Sequence, residues 1–244
     1  MEKLSVSKVF VLHVKHGYDD RLISIKKQFS KRNIEFELIT DGDMDDISQE
    51  QLDYYFSGEM HSVMPGSSCA LKHFLAYENM LQNGISNALI FEDDIILANA
   101  FNYIFNQTIH EASIRTDIDD TMLFVSYENS TLRTIDRSKR VKGQFLYQGT
   151  TTRCAGAYFL TNKIASVFLT KVKTDKCDIP IDWFHNKVLE GQKIPIYWCH
   201  PAQAEQGSHN GLFRSAIDQK KSGHFRQFTW NVVKQYKSLI HKWK

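Results

Sequence analysis

Three carboxylates follow one another without a spacer at Glu92, Asp93 and Asp94, directly after the apolar run from Ala88 to Phe91. Such a short apolar run predicts a strand buried on both faces inside a parallel sheet. Ionised carboxylates at its end lose water and repel one another, which is costly unless a cation binds there. Mg²⁺ or Mn²⁺ accepts such oxygens and completes its shell with phosphate and water, so the triplet indicates a site for a cation and a diphosphate. The alternative is an acidic cap that starts an exposed turn.

The elements around this triplet are those of an α/β fold. Lys8 to Val14 predicts a first strand, a helix follows from Asp19 or Asp20 to about Arg32, and Glu35 to Thr40 predicts a second strand. This opening is a βαβ unit, whose crossover is almost always right-handed. In open sheets of this kind ligands bind at the carboxyl ends of the central strands, which is where the triplet falls.

Hydrophobic periodicity and turn residues predict the remaining elements. Helices are expected near 48–55, 69–81, 99–113, 162–170 and from Pro180 onward, and strands near 122–126, 145–147 and 194–198. Residues 127–152 intersperse Ser, Thr, Arg, Lys and Gly, which predicts a mobile surface loop. The small residues Cys154 to Ala157 then allow another backbone or a sugar to approach closely.

Further candidate residues follow the second strand and open the helix over 69–81. Asp41 lies where an acid in a doubly wound sheet contacts a nucleotide's ribose or base, or simply makes a turn. Lys72 and His73 lie in the first turns of the helix. A single histidine there is more often a hydrogen-bonded core residue than a phosphate ligand, and both alternatives stay open.

A second acidic segment holds Asp178 and Asp182 around Pro180. Proline at a helix start with an acid in the first turn is ordinary helix-starting chemistry. The functional alternative is a carboxylate beside Trp183, whose ring would serve as a platform for a sugar.

The composition limits the class of partner and the location. A chain of 244 residues with 42% hydrophobic content can bury one substantial core, and a net charge of +2 is too small to argue for a nucleic-acid partner. The four cysteines lie far apart, as is typical of reduced thiols in a cytosolic protein. No apolar segment resembles a signal peptide or approaches the length of a bilayer span, so we expect a cytoplasmic protein, soluble or peripheral.

The last part of the chain is basic, because no acid follows Asp218. Apolar residues between His224 and Trp243 recur near helical spacing, with lysines and arginine between them. We therefore divide the chain into a domain over 1–218 and a basic amphipathic helix over 219–244. Such a helix lies on an anionic membrane surface or packs on the protein's own core.

Five segments in order resemble one family. They are Asp20-Arg21 after the opening strand, Ser68 to His73, Ala88 to Ile95, Gly156 to Leu160 and Pro180 to Phe184. Over most of residues 7–217 the chain resembles glycosyltransferase family 25, the lipooligosaccharide-biosynthesis transferases of Gram-negative bacteria, and Pro201, Gln206, Ser215 and Ile217 echo its closing pattern. It departs from the family's usual residues near the expected donor pocket, at His13, His16, Ser68 and Lys72.

The resemblance implies a GT-A fold, an α/β sandwich that binds a nucleotide sugar on a mostly parallel central sheet. It implies transfer from a nucleotide sugar, commonly UDP-galactose, onto a growing lipooligosaccharide, largely with inversion. Mn²⁺ or Mg²⁺ held by Asp94, with Asp93 or Glu92 on the ribose, would neutralise the departing diphosphate. Asp182 is then the expected base for the acceptor hydroxyl, with Asp178 as its substitute. Arg21, Lys72 and His73 would face the nucleotide or diphosphate, and His200 or His209 would complete the metal shell.

The implied partners are the nucleotide sugar and a lipid-linked oligosaccharide acceptor at the inner face of the cytoplasmic membrane. Two other classes of function stay open. A nucleotidyltransferase acting on a sugar phosphate also uses acids and Mg²⁺, but usually brings a Gly-rich basic phosphate loop, for which Lys15 to Tyr18 is a poor match. A non-catalytic sugar-binding protein would bind a UDP-sugar without turning it over.

Overall fold

A computed structural model describes residues 2–214 and 224–240. Seven of the strands in these residues form one central sheet. The strands of this part of the chain are β1 (Lys8–Leu12), β2 (Glu37–Ile39), β3 (Asn87–Glu92), β4 (Ile95–Leu97), β5 (Phe124–Ser126), β6 (Leu146–Gly149), β7 (Ala157–Thr161), β8 (Ile196–Cys199) and β9 (Ala204–Gln206). The helices are α1 (Asp19–Ser30), α2 (Gln49–Tyr55), α3 (Pro65–Gln82), α4 (Phe101–Ile114), α5 (Asn162–Asp175), α6 (Ile181–Gly191), α7 (Gly207–Asn210) and α8 (His224–Ile240).

The central sheet has the strand order β2-β1-β3-β7-β5-β8-β6. β1 is parallel to β2 and β3, and β5 is parallel to β8, whereas β7 and the edge strand β6 are antiparallel to their neighbours. Five of the seven strands therefore run in one direction, which confirms the predicted α/β class with a mostly parallel central sheet. Leu12 pairs with Glu92, so the residues that follow β1 and β3 meet at the same edge.

Helices cover both faces of this sheet. Successive residues of a strand point to opposite faces, so each face presents its own set of apolar side chains to the helices. On β3, Leu89 and Phe91 belong to the apolar cluster that includes α1 and α4. Ala88 and Ile90 belong to the cluster that includes α2, α3, α5 and α6. A strand buried on both faces is what the continuous apolar run before the acidic triplet predicts.

Helix α3 begins four residues before its predicted start. Pro65 occupies its first turn, where a missing N–H costs nothing, and Oγ of Ser67 accepts a hydrogen bond from the Met64 amide at 3.1 Å. The Pro65 to Ser68 segment, which precedes the predicted range, is therefore the first turn of the helix. The helix ends before Gly84, which has a φ of +61° and is free to adopt it.

The predicted surface loop over 127–152 differs from expectation because its first residues are buried. Tyr127 and Glu128 are 0% exposed and Ser130 is 4% exposed. The backbone explains the difference, since the Tyr127 amide donates to Ala157 at 3.0 Å and the Tyr127 carbonyl accepts from Gln203 at 2.8 Å. The first residues of the segment therefore continue from β5 as buried, hydrogen-bonded backbone, and only the later residues are at the surface.

A second, two-stranded sheet places β9, a late strand, beside the acidic turn. β4 follows that turn directly and pairs antiparallel with β9, with Ile95 opposite Gln206. The short helix α7 begins at the next residue, so residues 206–208 lie over the turn that joins β3 to β4.

Helix α8 lies against α7 through one of its faces. Nζ of Lys234 is paired with Glu205, and the rings of His209 and Trp230 are 6.5 Å apart. Val232, Val233 and Tyr236 are exposed. The predicted domain boundary after residue 218 lies outside the described residues. No helix within the described ranges is long and apolar enough to cross a membrane.

Candidate active site

The acidic turn between β3 and β4 is covered by the residues that follow β9. The Asp94 carbonyl accepts a hydrogen bond from the Gly207 amide at 2.8 Å, and Oδ2 of Asp94 accepts one from the Ser208 amide at 3.0 Å. A Cβ atom on Gly207 would stand 2.3 Å from Cδ2 of Phe213 and 3.0 Å from the Asp94 carbonyl oxygen. Glycine is therefore required for this close approach.

Asp94 is the most enclosed of the three acids, with 1% of its surface exposed. Its Oδ1 atom has no hydrogen-bond partner among the described residues. Burial, and then the charge of Glu92, raises the pKa of Asp94 to about 6. A buried carboxylate oxygen without a donor, close to a second acid, is a position that a hard cation would satisfy.

Asp93 is held by two basic side chains. Nδ1 of His13 donates to its Oδ2 at 2.7 Å, and Nη1 of Arg21 donates to its Oδ1 at 2.9 Å. Arg21 is itself buried and also donates to the carbonyl of Arg214. These contacts join α1 and the end of β1 to the acidic turn. Both basic side chains are directed at Asp93, and neither donates a hydrogen bond to Asp94 or Glu92.

Glu92 is oriented from two sides at the end of β3. Nε2 of Gln206 donates to its Oε2 at 2.8 Å. Its Oε1 lies 3.7 Å from Nε2 of His73 and 3.9 Å from Sγ of Cys69, both on α3. With 22% of its side chain exposed, Glu92 is also more open to solvent than Asp93 or Asp94.

Glu128 joins this acidic group, although sequence reasoning missed it. It follows β5, is fully buried, and accepts hydrogen bonds from the Gly156 amide and from Oγ of Ser130. Burial, and then the charge of Glu92, raises its pKa well above the ordinary value. The rule that ligands bind at strand ends would have selected it, since β5 is a central strand running in the same direction as β3.

Of the two proposed bases, the structure places Asp182 near the acids. It lies in the first turn of α6, and burial raises the pKa of its carboxyl group, with Glu92 adding to the rise and His209 opposing it. His209 is thus brought to the same region by α7. Asp178 instead is exposed and is paired with Lys187 at 3.0 Å.

Lys72 is committed to the protein itself. Its Nζ lies 2.7 Å from Oδ1 of Asp43 and donates to the carbonyls of Thr40 and Asp41 at 2.8 and 3.2 Å. The residue is 3% exposed, so these contacts direct its ammonium at the protein. The Asp41 side chain is 84% exposed and stands 3.5 Å from Lys15. Lys72 therefore joins the end of β2 to α3.

His200 lies in different surroundings from His209. It follows β8, its ring is 5.8 Å from that of Tyr147, and burial together with Arg140 and Arg153 lowers its pKa to about 4. The charged groups that act on His200 are thus arginines, whereas His209 interacts electrostatically with the carboxylate of Asp182.

His73 begins a chain of buried hydrogen bonds behind the acids. Its Nδ1 is 2.6 Å from Oη of Tyr158, which is 2.5 Å from Oη of Tyr77, which is 2.7 Å from Nε2 of His185. All four side chains are 0% exposed. His73 is therefore a hydrogen-bonded core residue through its Nδ1 atom. Its Nε2 atom is directed at Glu92.

The donor set fits a divalent cation. Asp94 offers a buried oxygen to which no described residue donates a hydrogen bond. The charge of Glu92 contributes to the raised pKa values of Asp94, Glu128 and Asp182. Carboxylate oxygens are the ligands that Mg²⁺ and Mn²⁺ prefer. The arrangement can therefore hold a cation and, with it, an anionic leaving group.

The family model described as "Glycosyltransferase family 25 (LPS biosynthesis protein)" matches residues 7–185 of this chain. That span contains β1, α1, the acidic triplet, Glu128 and Asp182, and it ends before β9 and α7. No curated protein matches the chain.

Three solved structures resemble this fold, each with low identity. A197 from STIV is 14% identical, over 89% of this chain and 95% of that one, with a TM-score of 0.43. A glycosyltransferase involved in glycosylation of the major capsid of PBCV-1 is 10% identical, over 92% and 99%, with a TM-score of 0.43. A putative glucose-1-phosphate thymidylyltransferase from Bacillus anthracis, in complex with a sucrose, is 12% identical, over 93% and 95%, with a TM-score of 0.42. At these values none of them indicates what this chain binds.

Proposed function

The chain belongs to glycosyltransferase family 25, and from that premise we propose that it uses a divalent cation, Mn²⁺ or Mg²⁺, to transfer galactose from UDP-galactose to a lipooligosaccharide or lipopolysaccharide acceptor. The observation that supports cation dependence is Oδ1 of Asp94, which is buried beside Glu92 and has no hydrogen-bond partner in the part of the chain that the structure describes. The bound cation would stabilise negative charge on the departing UDP.

The residues around the cation would fix the donor. His13 and Arg21 hold Asp93 in one orientation, in which its carboxylate oxygens would accept a further hydrogen bond from a ribose hydroxyl. Arg21 adds positive charge on the nucleotide side. His209 of α7 is the better placed of the two histidines to complete the cation's shell, because it shares the region of Asp182.

Asp182 would act as the general base in an inverting transfer. A base works best when its pKa approaches the working pH, and burial raises the pKa of Asp182 in that direction. Its neighbour Trp183 is 65% exposed, which leaves the ring free to stack on an acceptor sugar. Asp178 stays the substitute, although it is exposed and its carboxylate is paired with Lys187.

The acceptor is proposed to be lipid-linked, with α8 as the element that brings the protein to the inner face of the cytoplasmic membrane. Its outer face presents Val232, Val233 and Tyr236, and Lys237 beside them is exposed. An apolar face with adjacent lysine suits an anionic bilayer surface. Lys220, Lys221, Arg226, Lys242 and Lys244 belong to the same proposal but lie outside the described side chains.

The decisive experiment is UDP release from a panel of UDP-sugars, with and without Mn²⁺, by wild type, Asp94→Asn and the surface control Asp175→Asn. We expect cation-dependent release with UDP-galactose preferred, a fall of roughly 100-fold or more in Asp94→Asn, and no change in Asp175→Asn. Pyrophosphate release from a nucleoside triphosphate would instead indicate a nucleotidyltransferase. UDP-sugar binding without turnover over a broad acceptor panel would indicate a non-catalytic protein.

A further inference from the structure

Three side chains of different chemistry converge beside the acidic turn. Cys69 and His73 are separated by one turn of α3, and Glu92 ends β3 opposite them. One ligand atom from each lies within 4.8 Å of the other two. The closest approaches are 3.7 Å from His73 Nε2 to Glu92 Oε1 and 3.9 Å from Cys69 Sγ to the same oxygen.

His73 provides an independent sign that something binds between them. It is 0% exposed, and its Nε2 has no hydrogen-bond partner among the described residues. A buried imidazole nitrogen without a partner is unfavourable, and such atoms are uncommon in folded proteins. Since its Nδ1 is taken by Tyr158, the ring cannot turn to satisfy Nε2 without losing that bond.

The distances suit a tetrahedral metal ion. Bonds of roughly 2.0–2.3 Å to nitrogen, oxygen and sulfur place tetrahedral ligand atoms about 3.4–3.6 Å apart. The two contacts to Glu92 are within a few tenths of an ångström of that separation, and the third pair needs to close by about 1.4 Å at most.

The neighbours of the three side chains match those of metal ligands. Metal-bound histidines usually hydrogen-bond through their other nitrogen, as His73 does with Tyr158. Gln206 holds Oε2 of Glu92 and leaves Oε1 directed at the other two ligands. Thiolate and imidazole favour Zn²⁺ or Co²⁺ over Mg²⁺ and Mn²⁺, which distinguishes this set from the carboxylate oxygens around Asp94.

We propose that Cys69, His73 and Glu92 form a site for one zinc-class transition-metal ion, with its fourth position open to solvent or substrate on the Glu92 side. Three protein ligands with an open position are the pattern of zinc sites that bind a further ligand. Binding converts the Cys69 thiol to a thiolate, and the proton passes to the buffer. The proposal does not depend on sugar transfer, since it concerns the ion and these side chains alone.

Cobalt spectroscopy on the intact, chelator-treated protein tests the site without nucleotide. Added Co²⁺ is expected to produce the near-ultraviolet band of thiolate-to-cobalt charge transfer, and Zn²⁺ is expected to abolish it while a large excess of Mg²⁺ does not. Cys69→Ser should lose the band and weaken Zn²⁺ binding by about 100-fold or more. Cys177→Ser is the matched control, because Cys177 is buried and its Sγ contacts the Ile179 carbonyl instead.

The outcomes separate this proposal from the transferase proposal. A wild-type protein without the cobalt band, or a Cys69→Ser variant that retains it, overturns the site whatever the UDP-release assay shows. A band that depends on Cys69 supports the site even if no UDP-sugar is turned over. Circular dichroism of each variant ensures that a lost band reflects a lost ligand, and Glu92→Gln, which should weaken Zn²⁺ binding with the thiol intact, provides a second variant.

Discussion

Nε2 of Gln206 donates a hydrogen bond to Oε2 of Glu92 at 2.8 Å, between residues that are 114 positions apart in the chain. Glu92 lies inside the span that matches glycosyltransferase family 25, and Gln206 lies beyond its end at residue 185. Two residues further on, the backbone amide of Ser208 donates to Oδ2 of Asp94 at 3.0 Å. The acids of the family domain are therefore oriented by a part of the chain that the family match does not include.

Replacing Asp94 by asparagine is expected to stabilise the protein near neutral pH in the presence of a chelator. The folded-state pKa of Asp94 rises from its ordinary value of 3.8 to about 6, so the folded state holds this proton where the unfolded state has lost it. The free energy of unfolding therefore decreases as the pH rises from about 4 through 6, by about 3 kcal/mol for this group. Asparagine carries no such proton.

Urea unfolding at pH 4 and pH 7.5 measures this effect. The gain of Asp94→Asn over wild type should be small at pH 4, reach at most about 3 kcal/mol at pH 7.5, and shrink when Mn²⁺ is added to wild type. The exposed Asp175→Asn should show no gain, because its pKa is lowered by Lys171 rather than raised. A difference between Asp94→Asn and wild type that does not change with pH would contradict the assignment.

The pH dependence of transfer should report Asp182. Since its pKa is raised by burial, the basic form is lost as the pH falls through a value above 3.8, and kcat/KM should decline there. Asp182→Asn is expected to lower kcat by roughly 100-fold or more and to remove this acid limb. The profile is measured with the donor and acceptor that the release assay identifies. Loss in Asp178→Asn with retained activity in Asp182→Asn would transfer the role to Asp178.

Tyr158→Phe is expected to destabilise the fold by about 1–3 kcal/mol, because it leaves His73 and Tyr77 each without one buried hydrogen-bond partner. Urea unfolding at pH 7.5 measures the loss. Tyr103→Phe is the matched control, since Tyr103 is 54% exposed on α4. Equal stability of Tyr158→Phe and wild type would show that the hydrogen-bond chain contributes nothing to folding.

The outer face of α8 should determine binding to anionic vesicles. The double variant Val232→Asp, Tyr236→Asp places two charges on the exposed apolar face and should lower the bound fraction by roughly tenfold or more. Sedimentation with vesicles that contain phosphatidylserine, against phosphatidylcholine alone, measures this. Tyr103→Asp adds a charge elsewhere and should have little effect. Binding that persists in the double variant, and after deletion of residues 219–244, would remove the membrane role of the tail.

Local patterns predicted much of the fold, since they depend on side chains close in sequence. The apolar runs of β1 and β3, and the helical spacing of α1 and α3, identify the βαβ opening and place the acidic triplet at a strand end. The contact between the ends of β1 and β3 follows from parallel pairing. The hydrophobic periodicity of the sequence was therefore enough to predict an α/β fold.

The remainder depends on contacts between distant segments, for which the sequence carries no local sign. Glu128 lies at the start of the polar stretch 127–152, just after the predicted strand, so its burial could not be read from the residues that follow it. The sequence alone does not distinguish Lys72 from a phosphate ligand, and only the fold brings its ammonium against Asp43 and the carbonyls that follow β2. The meeting of Cys69, His73 and Glu92 likewise requires α3 to lie on the end of β3.

The dependence of the acidic turn on residues 204–208 has a consequence for the synthesis of the protein. Translation produces Glu92, Asp93 and Asp94 long before β9 and Gly207 leave the ribosome, so a nascent chain holds these acids without the segment that orients them. The arrangement of these acids is therefore completed late, and a chain interrupted before residue 204 would contain every acid of the family domain without the segment that orients them.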